Sequence, residues 1–114
     1  MLFMVIERFK DCDALPAYRR FRDRGRMMPE GLVFHDSWVE ANCDRCFMIM
    51  ECEDITLLQL WTAQWRDLVE IEFVPVVSGK DTAAAFAPLL EEAGDPSAGC
   101  APPRTIPELE EPCR

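Results

Sequence analysis

Two pentapeptides, FMVIE ending at Glu7 and FMIME ending at Glu51, each close an apolar run with a carboxylate. Carboxylates brought close together in a dry setting cannot both ionise freely, so one of them holds its proton near neutral pH. A group tuned in that way suits general acid or base catalysis. Asp36, within LVFHDSWVE, is expected beside them as a third acid. Three carboxylates are also a ligand set for a hard divalent cation, a weaker reading. The plain alternative is that both glutamates sit at strand ends in solvent or pair with a nearby arginine.

Five arginines crowd one segment: Arg19, Arg20, Arg22, Arg24 and Arg26. On a helix, Arg19, Arg20 and Arg24 point away from the apolar stripe and form a solvated face. Arg22 lies at its border and Arg26 slightly beyond, so either reaches inward to a carboxylate or to an anionic ligand. His35 shares strand parity with Val33, Ser37 and Val39, away from the expected carboxylate face. It reads as a satisfied core or cavity histidine, with a lone titratable base as the alternative. Trp38, an edge-strand aromatic, is expected to line a ligand cavity. Cys43-Asp-Arg-Cys46 has zinc-like spacing, but no second cysteine pair completes four ligands, and a redox pair would open a helix rather than enter a strand. No Gly-rich phosphate loop, dinucleotide fingerprint or Ser-His-Asp order is present, and neither a cofactor nor a metal is expected.

The elements that would position these residues follow from periodicity. Residues 2–9 read as a strand, and a helix capped by Asp13, with Pro16 in its first turn, runs to about Met28. Its stripe holds Leu15, Tyr18, Phe21, Gly25 and Met28, and Gly25 is expected where the helix approaches the sheet closely. Residues 32–40 and 45–52 read as strands joined by a turn at 41–44. Asp54 caps a second helix burying Leu57, Leu58, Trp61, Trp65 and Leu68. Residues 69–77 form a fourth strand, whose Pro75 fits an edge.

The order βαββαβ predicts a ferredoxin-like α+β fold, with two helices on one face of a four-stranded antiparallel sheet. The repeated pentapeptides become its two central strands, expected side by side and parallel, about 4.8 Å apart. That arrangement makes Glu7 and Glu51 neighbours. A hairpin placing Glu40 opposite Arg45 sets Trp38 opposite Phe47, Asp36 opposite Ile49 and Phe34 opposite Glu51. Both parities of the central strands are apolar, so the face without helices needs a cover, and a homodimer through the sheet supplies it.

The segments ERFK, YRRFRDRGRMMPEGL, DSWVE, DRCFMIMECED and WTAQWRDLVEIEFVPV resemble a small bacterial family of unknown function at or near the dimeric α+β barrel superfamily. The resemblance covers roughly residues 1–78. It implies the fold and a homodimer, and its neighbours include antibiotic-biosynthesis monooxygenase-like, muconolactone isomerase and EthD-like proteins. It implies no particular reaction.

At 114 residues, 49% of them hydrophobic and 29% charged, the chain has the balance of a single soluble domain. A net charge of −9 speaks against nucleic acid and anionic membrane surfaces as partners. No apolar run approaches a membrane span, and MLFMVI lacks the basic flank of a signal peptide, so a cytoplasmic location with reduced thiols is expected. The expected organisation is a domain over 1–79, a short helix over 80–93, and an acidic, Pro-rich tail over 94–114 containing Cys100 and Cys113. The functional expectation is a cofactor-independent enzyme of isomerase or monooxygenase type acting on a small organic substrate. A non-catalytic ligand-binding or interaction protein is the alternative.

Overall fold

A computed structural model describes residues 1–92. The chain divides into a compact unit, Met1–Ser78, and a second beginning at Gly79, of which helix α3 (Gly79–Glu92) is described. The first unit runs β1 (Leu2–Phe9), α1 (Leu15–Arg24), β2 (Val33–Val39), β3 (Arg45–Glu51), α2 (Thr56–Trp65) and β4 (Val69–Val76). This is the expected α+β order, with one four-stranded sheet arranged β2-β3-β1-β4. The tail over 94–114, with Cys100 and Cys113, lies outside the described residues. Among the described residues no helix is long and apolar enough to cross a membrane.

The two central strands are antiparallel, not parallel as the repeated pentapeptide suggests. The connectivity leaves no other choice. A helical crossover makes β2 run parallel to β1, and the tight hairpin then turns β3 back against both. Leu2 therefore lies opposite Glu51, and Glu7 opposite Cys46. On its other side β1 pairs with β4, an edge strand that tolerates Pro75 opposite Phe3.

The hairpin keeps its expected register at Trp38–Phe47 and Asp36–Ile49, and the Glu40 amide donates to the Arg45 carbonyl at 2.9 Å. Beyond Asp36 the register shifts, so Phe34 lies opposite Met50 and Val33, not Phe34, lies opposite Glu51. The extra residue at this bulge is His35.

Burial alternates along both central strands. Phe3, Val5, Glu7 and Phe9 share the covered face with Cys46, Met48 and Met50, against Ala17 of α1 and Leu58, Trp61 and Trp65 of α2. The opposite face presents Met4, Ile6, Phe47 and Ile49, all half-buried, and Trp38 at 56% exposure.

Helix α1 is shorter than its apolar stripe predicts, ending at Arg24 with Gly25 at φ 68°. A Cβ at Gly25 would meet nothing within 4 Å, so this glycine serves a left-handed exit rather than a close approach. The close approach falls at Gly31, φ +96°, where a Cβ would sit 3.1 Å from Leu57 Cδ1. Arg20, expected on the solvated face, instead forms a two-pronged ion pair with Asp67, both contacts at 2.7 Å, and donates to the Gln64 carbonyl at 2.8 Å. That hydrogen bonding holds the Asp67 carboxyl down at about 2 and ties α1 to the end of α2.

Candidate functional site

Glu7 lies near the end of β1 on the helix-covered face, only 8% exposed. Strand alternation puts it there, because its neighbours on the same parity, Val5 and Phe9, belong to the core. Its strand partners are Cys46 of β3 and Ile71 of β4. The side chain borders a cavity of about 110 Å³ whose walls include Tyr18, Phe21, Arg26, Cys46 and Trp61. Among the described residues no hydrogen bond or close ion pair reaches its carboxylate, and no side-chain oxygen is both fully buried and unpaired, so the carboxylate opens to the cavity. Burial raises the Glu7 pKa to about 7, against an opposing pull from the Arg26 charge. Burial likewise lifts the Cys46 thiol to about 11, reinforced by the Glu7 charge and opposed by Arg26. Tyr18 is raised too, chiefly by burial, with smaller contributions from Cys46, Cys43 and Glu7.

Arg26 reaches the cavity from the connection between α1 and β2. Its backbone carbonyl accepts hydrogen bonds from the indole N–H of both Trp61 and Trp65, at 3.0 and 2.9 Å. The residues on either side are left-handed, Gly25 at φ 68° and Met27 at φ 56°. A methionine in that region is strained, and such strain persists only where the surroundings hold it. The guanidinium carbon stands 3.6 Å from the centre of the Phe34 ring and 4.9 Å from that of Phe21. No acceptor among the described residues takes a hydrogen bond from its N–H groups.

The other expected site residues fall elsewhere. Glu51 lies five residues along β3 from the partner of Glu7, about 17 Å away at strand spacing, and on the opposite face. The paired-glutamate arrangement therefore does not form, because antiparallel pairing sends the two strand ends in opposite directions. Glu51 instead meets His35, Nε2 to Oε1 at 2.9 Å, a contact the bulge creates. This corrects the separation of His35 from the carboxylates, since simple alternation breaks where a strand gains a residue. Asp36 is exposed and accepts from the Ser37 amide at 2.8 Å. Trp38 stands on the uncovered face and does not border the Glu7 cavity. Arg22 pairs with Asp23 on the helix surface at 2.9 Å. Among the described residues no three His, Cys, Asp or Glu side chains converge as a metal site, so the carboxylate cation reading loses its geometry. Cys12, Cys43, Cys46 and Cys52 are free thiols, with Cys43 exposed and Cys46 buried.

Of the expected residues, then, the fold brings Glu7 and Arg26 to one cavity. Tyr18, Phe21 and Cys46 complete it and were not singled out as site residues. Cys46 was only partly within reach of the sequence: its β3 parity puts it on the covered face with Met48 and Met50, but its place across from Glu7 follows from the β1–β3 register, which the hairpin does not set. Tyr18 and Phe21 were assigned to the core stripe, yet they are 48% and 39% exposed at the cavity rim.

A four-stranded antiparallel sheet in βαββαβ order, with a carboxyl and a guanidinium facing one cavity beneath its helices, defines a small ferredoxin-like α+β protein. The chain belongs to the family described as "Domain of unknown function (DUF3303)", whose model matches residues 1–90 and so spans the whole sheet and the cavity. No curated protein and no solved structure matches it.

Proposed function

We propose that the protein is a homodimeric, cofactor-independent α+β barrel enzyme in which Glu7 moves protons on a small organic substrate held in the helix-covered cavity. The observation that carries this reading is the placement of Glu7, a largely buried residue whose carboxylate takes no hydrogen bond from the described residues and opens on a cavity that also receives Arg26. An ionised Glu7 takes a proton from an acidic C–H of the substrate. Negative charge then develops on the adjacent substrate oxygen, where the Arg26 guanidinium stabilises it. Return of the proton to a different carbon completes an isomerisation, the chemistry that one acid–base carboxyl and one fixed cation supply. A pKa of about 7 leaves both protonation states of Glu7 available at neutral pH. The half-buried apolar residues of the uncovered sheet face support the dimer, and the free thiols suit a reducing cytoplasm.

Solvent-deuterium exchange into a panel of small enolisable ketones and lactones, followed by proton NMR, tests the reading. Wild-type protein should accelerate exchange, and Glu7→Gln should lose that acceleration by about 100-fold or more while keeping its fold. Exchange at the buffer rate despite detectable ligand binding would leave a binding protein in place of an enzyme. Equal exchange in wild type and Glu7→Gln would remove Glu7 from the chemistry.

A further inference from the structure

We infer that the cavity takes a small planar carboxylate of one-ring size, gripped by the Arg26 guanidinium, and that Glu7 takes up a proton when this anion binds. The inference rests on the same cavity as the proposed function, but its ligand occupies Arg26 and holds Glu7 protonated, so it blocks the proposed proton abstraction rather than undergoing it.

Arg26 differs from the other described arginines. Arg8, Arg20, Arg22 and Arg45 each pair with a carboxylate. Arg19, Arg24 and Arg66 lie exposed, where water serves their N–H groups. Arg26 is half-buried, borders the cavity, and has no hydrogen-bond acceptor among the described residues. Two indole hydrogen bonds fix its carbonyl, and two left-handed neighbours shape its backbone. The Phe34 and Phe21 rings flank its guanidinium. A guanidinium held against aromatic rings keeps its donors free at its edge, the geometry that grips a carboxylate through two parallel hydrogen bonds. Among the described residues Glu7 is the one anionic group at the cavity and acts on this cation without a hydrogen bond, so the two-pronged partner that a fixed guanidinium can take is left for a ligand to bring.

The cavity supports that charge type. Facing Glu7 are Tyr18 from α1, Cys46 from β3 and Arg26 from the α1–β2 connection; α2 contributes Trp61 and Trp65, β2 Ser37, and β4 Ile71. Tyr18 and Cys46 have raised pKa values and stay neutral at assay pH, so Glu7 is the group here that titrates near neutrality. With Glu7 protonated the cavity carries one net positive charge. An incoming anion disfavours a second negative charge beside it and draws a proton from solvent onto Glu7, with no covalent bond to the ligand made or broken. Shape sets the rest. Phe9, Tyr18, Phe21, Trp61 and Trp65 supply aromatic walls, and the cavity of about 110 Å³ is open at the rim beside Tyr18 and Phe21. That volume is smaller than the roughly 150 Å³ of a closed cavity that holds benzene, so a single ring fits only with part of it standing in the open mouth, and a polycyclic ligand does not fit.

Calorimetric titration of the full chain with benzoate, and with its uncharged counterpart benzamide, is the test. Two buffers of different ionisation enthalpy at each of several pH values report the protons exchanged. Wild type should prefer benzoate by at least tenfold and take up a fraction of a proton at pH 7.5. Its benzoate affinity should then fall about tenfold per pH unit above pH 7. Glu7→Gln should bind benzoate with neither proton uptake nor that pH dependence. Arg26→Gln should lose the preference, and Arg26→Lys, with charge but no fork, should keep only part of it; melting curves confirm that each variant is folded. Equal binding of the two ligands, no benzoate binding, a preference that survives in folded Arg26→Gln, or wild-type binding without proton uptake would each overturn the inference. If carboxylates fail while Glu7 still exchanges protons on neutral ketones, the proposed function stands without this ligand class. If benzoate binds as described and no exchange is catalysed, the ligand class stands and the enzyme reading falls.

Discussion

Glu7 sets the cost of ionisation in a dry place against the attraction of one nearby guanidinium, and the cost of drying dominates. The consequence for stability has a definite sign. Because the folded-state pKa of about 7 lies above the ordinary 4.5, the folded chain holds this proton more tightly than the unfolded chain. The resulting contribution is complete below pH 4.5, declines as the pH rises, and is gone once Glu7 ionises in the folded state above pH 7. The loss is on the order of 3 kcal/mol. Glu7→Gln cannot ionise and should escape it. The stability of Glu7→Gln relative to wild type, measured by urea unfolding, should therefore rise between pH 5 and pH 7.5 and level off beyond. A difference that stays flat across this range would mean that Glu7 does not titrate in a buried state.

At the scale of elements, α2 acts on the cavity by pinning the connection that carries Arg26. Trp61 and Trp65 stand one turn apart, so both indole N–H groups reach the same carbonyl, at 3.0 and 2.9 Å. Removing one donor leaves the carbonyl satisfied by the other; removing both leaves it unpaired in a partly buried place. Trp61→Phe and Trp65→Phe should each cost lost packing and about 1 kcal/mol of hydrogen bonding. The double variant should exceed the sum by about 1–2 kcal/mol, measured by denaturant unfolding of all four proteins. Strict additivity would mean that the shared carbonyl plays no part. The tryptophan pair was legible in the sequence because a helical period marks one buried face, and the four strands were legible from alternation and turn residues. The direction of β3 is also implicit in βαββαβ connectivity, but the likeness of FMVIE to FMIME mimics a parallel repeat and masks the hairpin that reverses it. The contact of His35 with Glu51 was out of reach, since a one-residue bulge leaves no mark on the alternation around it. So was the left-handed Met27, a residue type that carries no preference for that conformation.

The whole molecule places two demands on opposite faces of one sheet. The helix-covered face encloses Glu7 and Arg26, while the other presents Met4, Ile6, Phe47 and Ile49 on its central strands, with Trp38 beside them. A surface of that character is a recognised mark of association, and the proposed dimer would cover it with the same residues of a second copy. The net charge opposes association: with 21 acidic against 12 basic residues the chain repels a second copy at long range, so the apolar patch has to outweigh that repulsion. Ile49→Glu puts a carboxylate in the middle of that patch, on a strand whose covered face holds Met48 and Met50. Sedimentation equilibrium should give wild type twice the 13.1 kDa chain mass and the variant the single chain mass. Because Ile49 points away from the cavity, the monomeric variant should still bind benzoate within about threefold of wild type, allowing for ordinary small effects of distant substitutions. A monomeric wild type would remove the sheet-to-sheet dimer outright. A variant that dissociates and loses benzoate binding together would show that the cavity depends on the second copy, and that the two faces of the sheet are not independent.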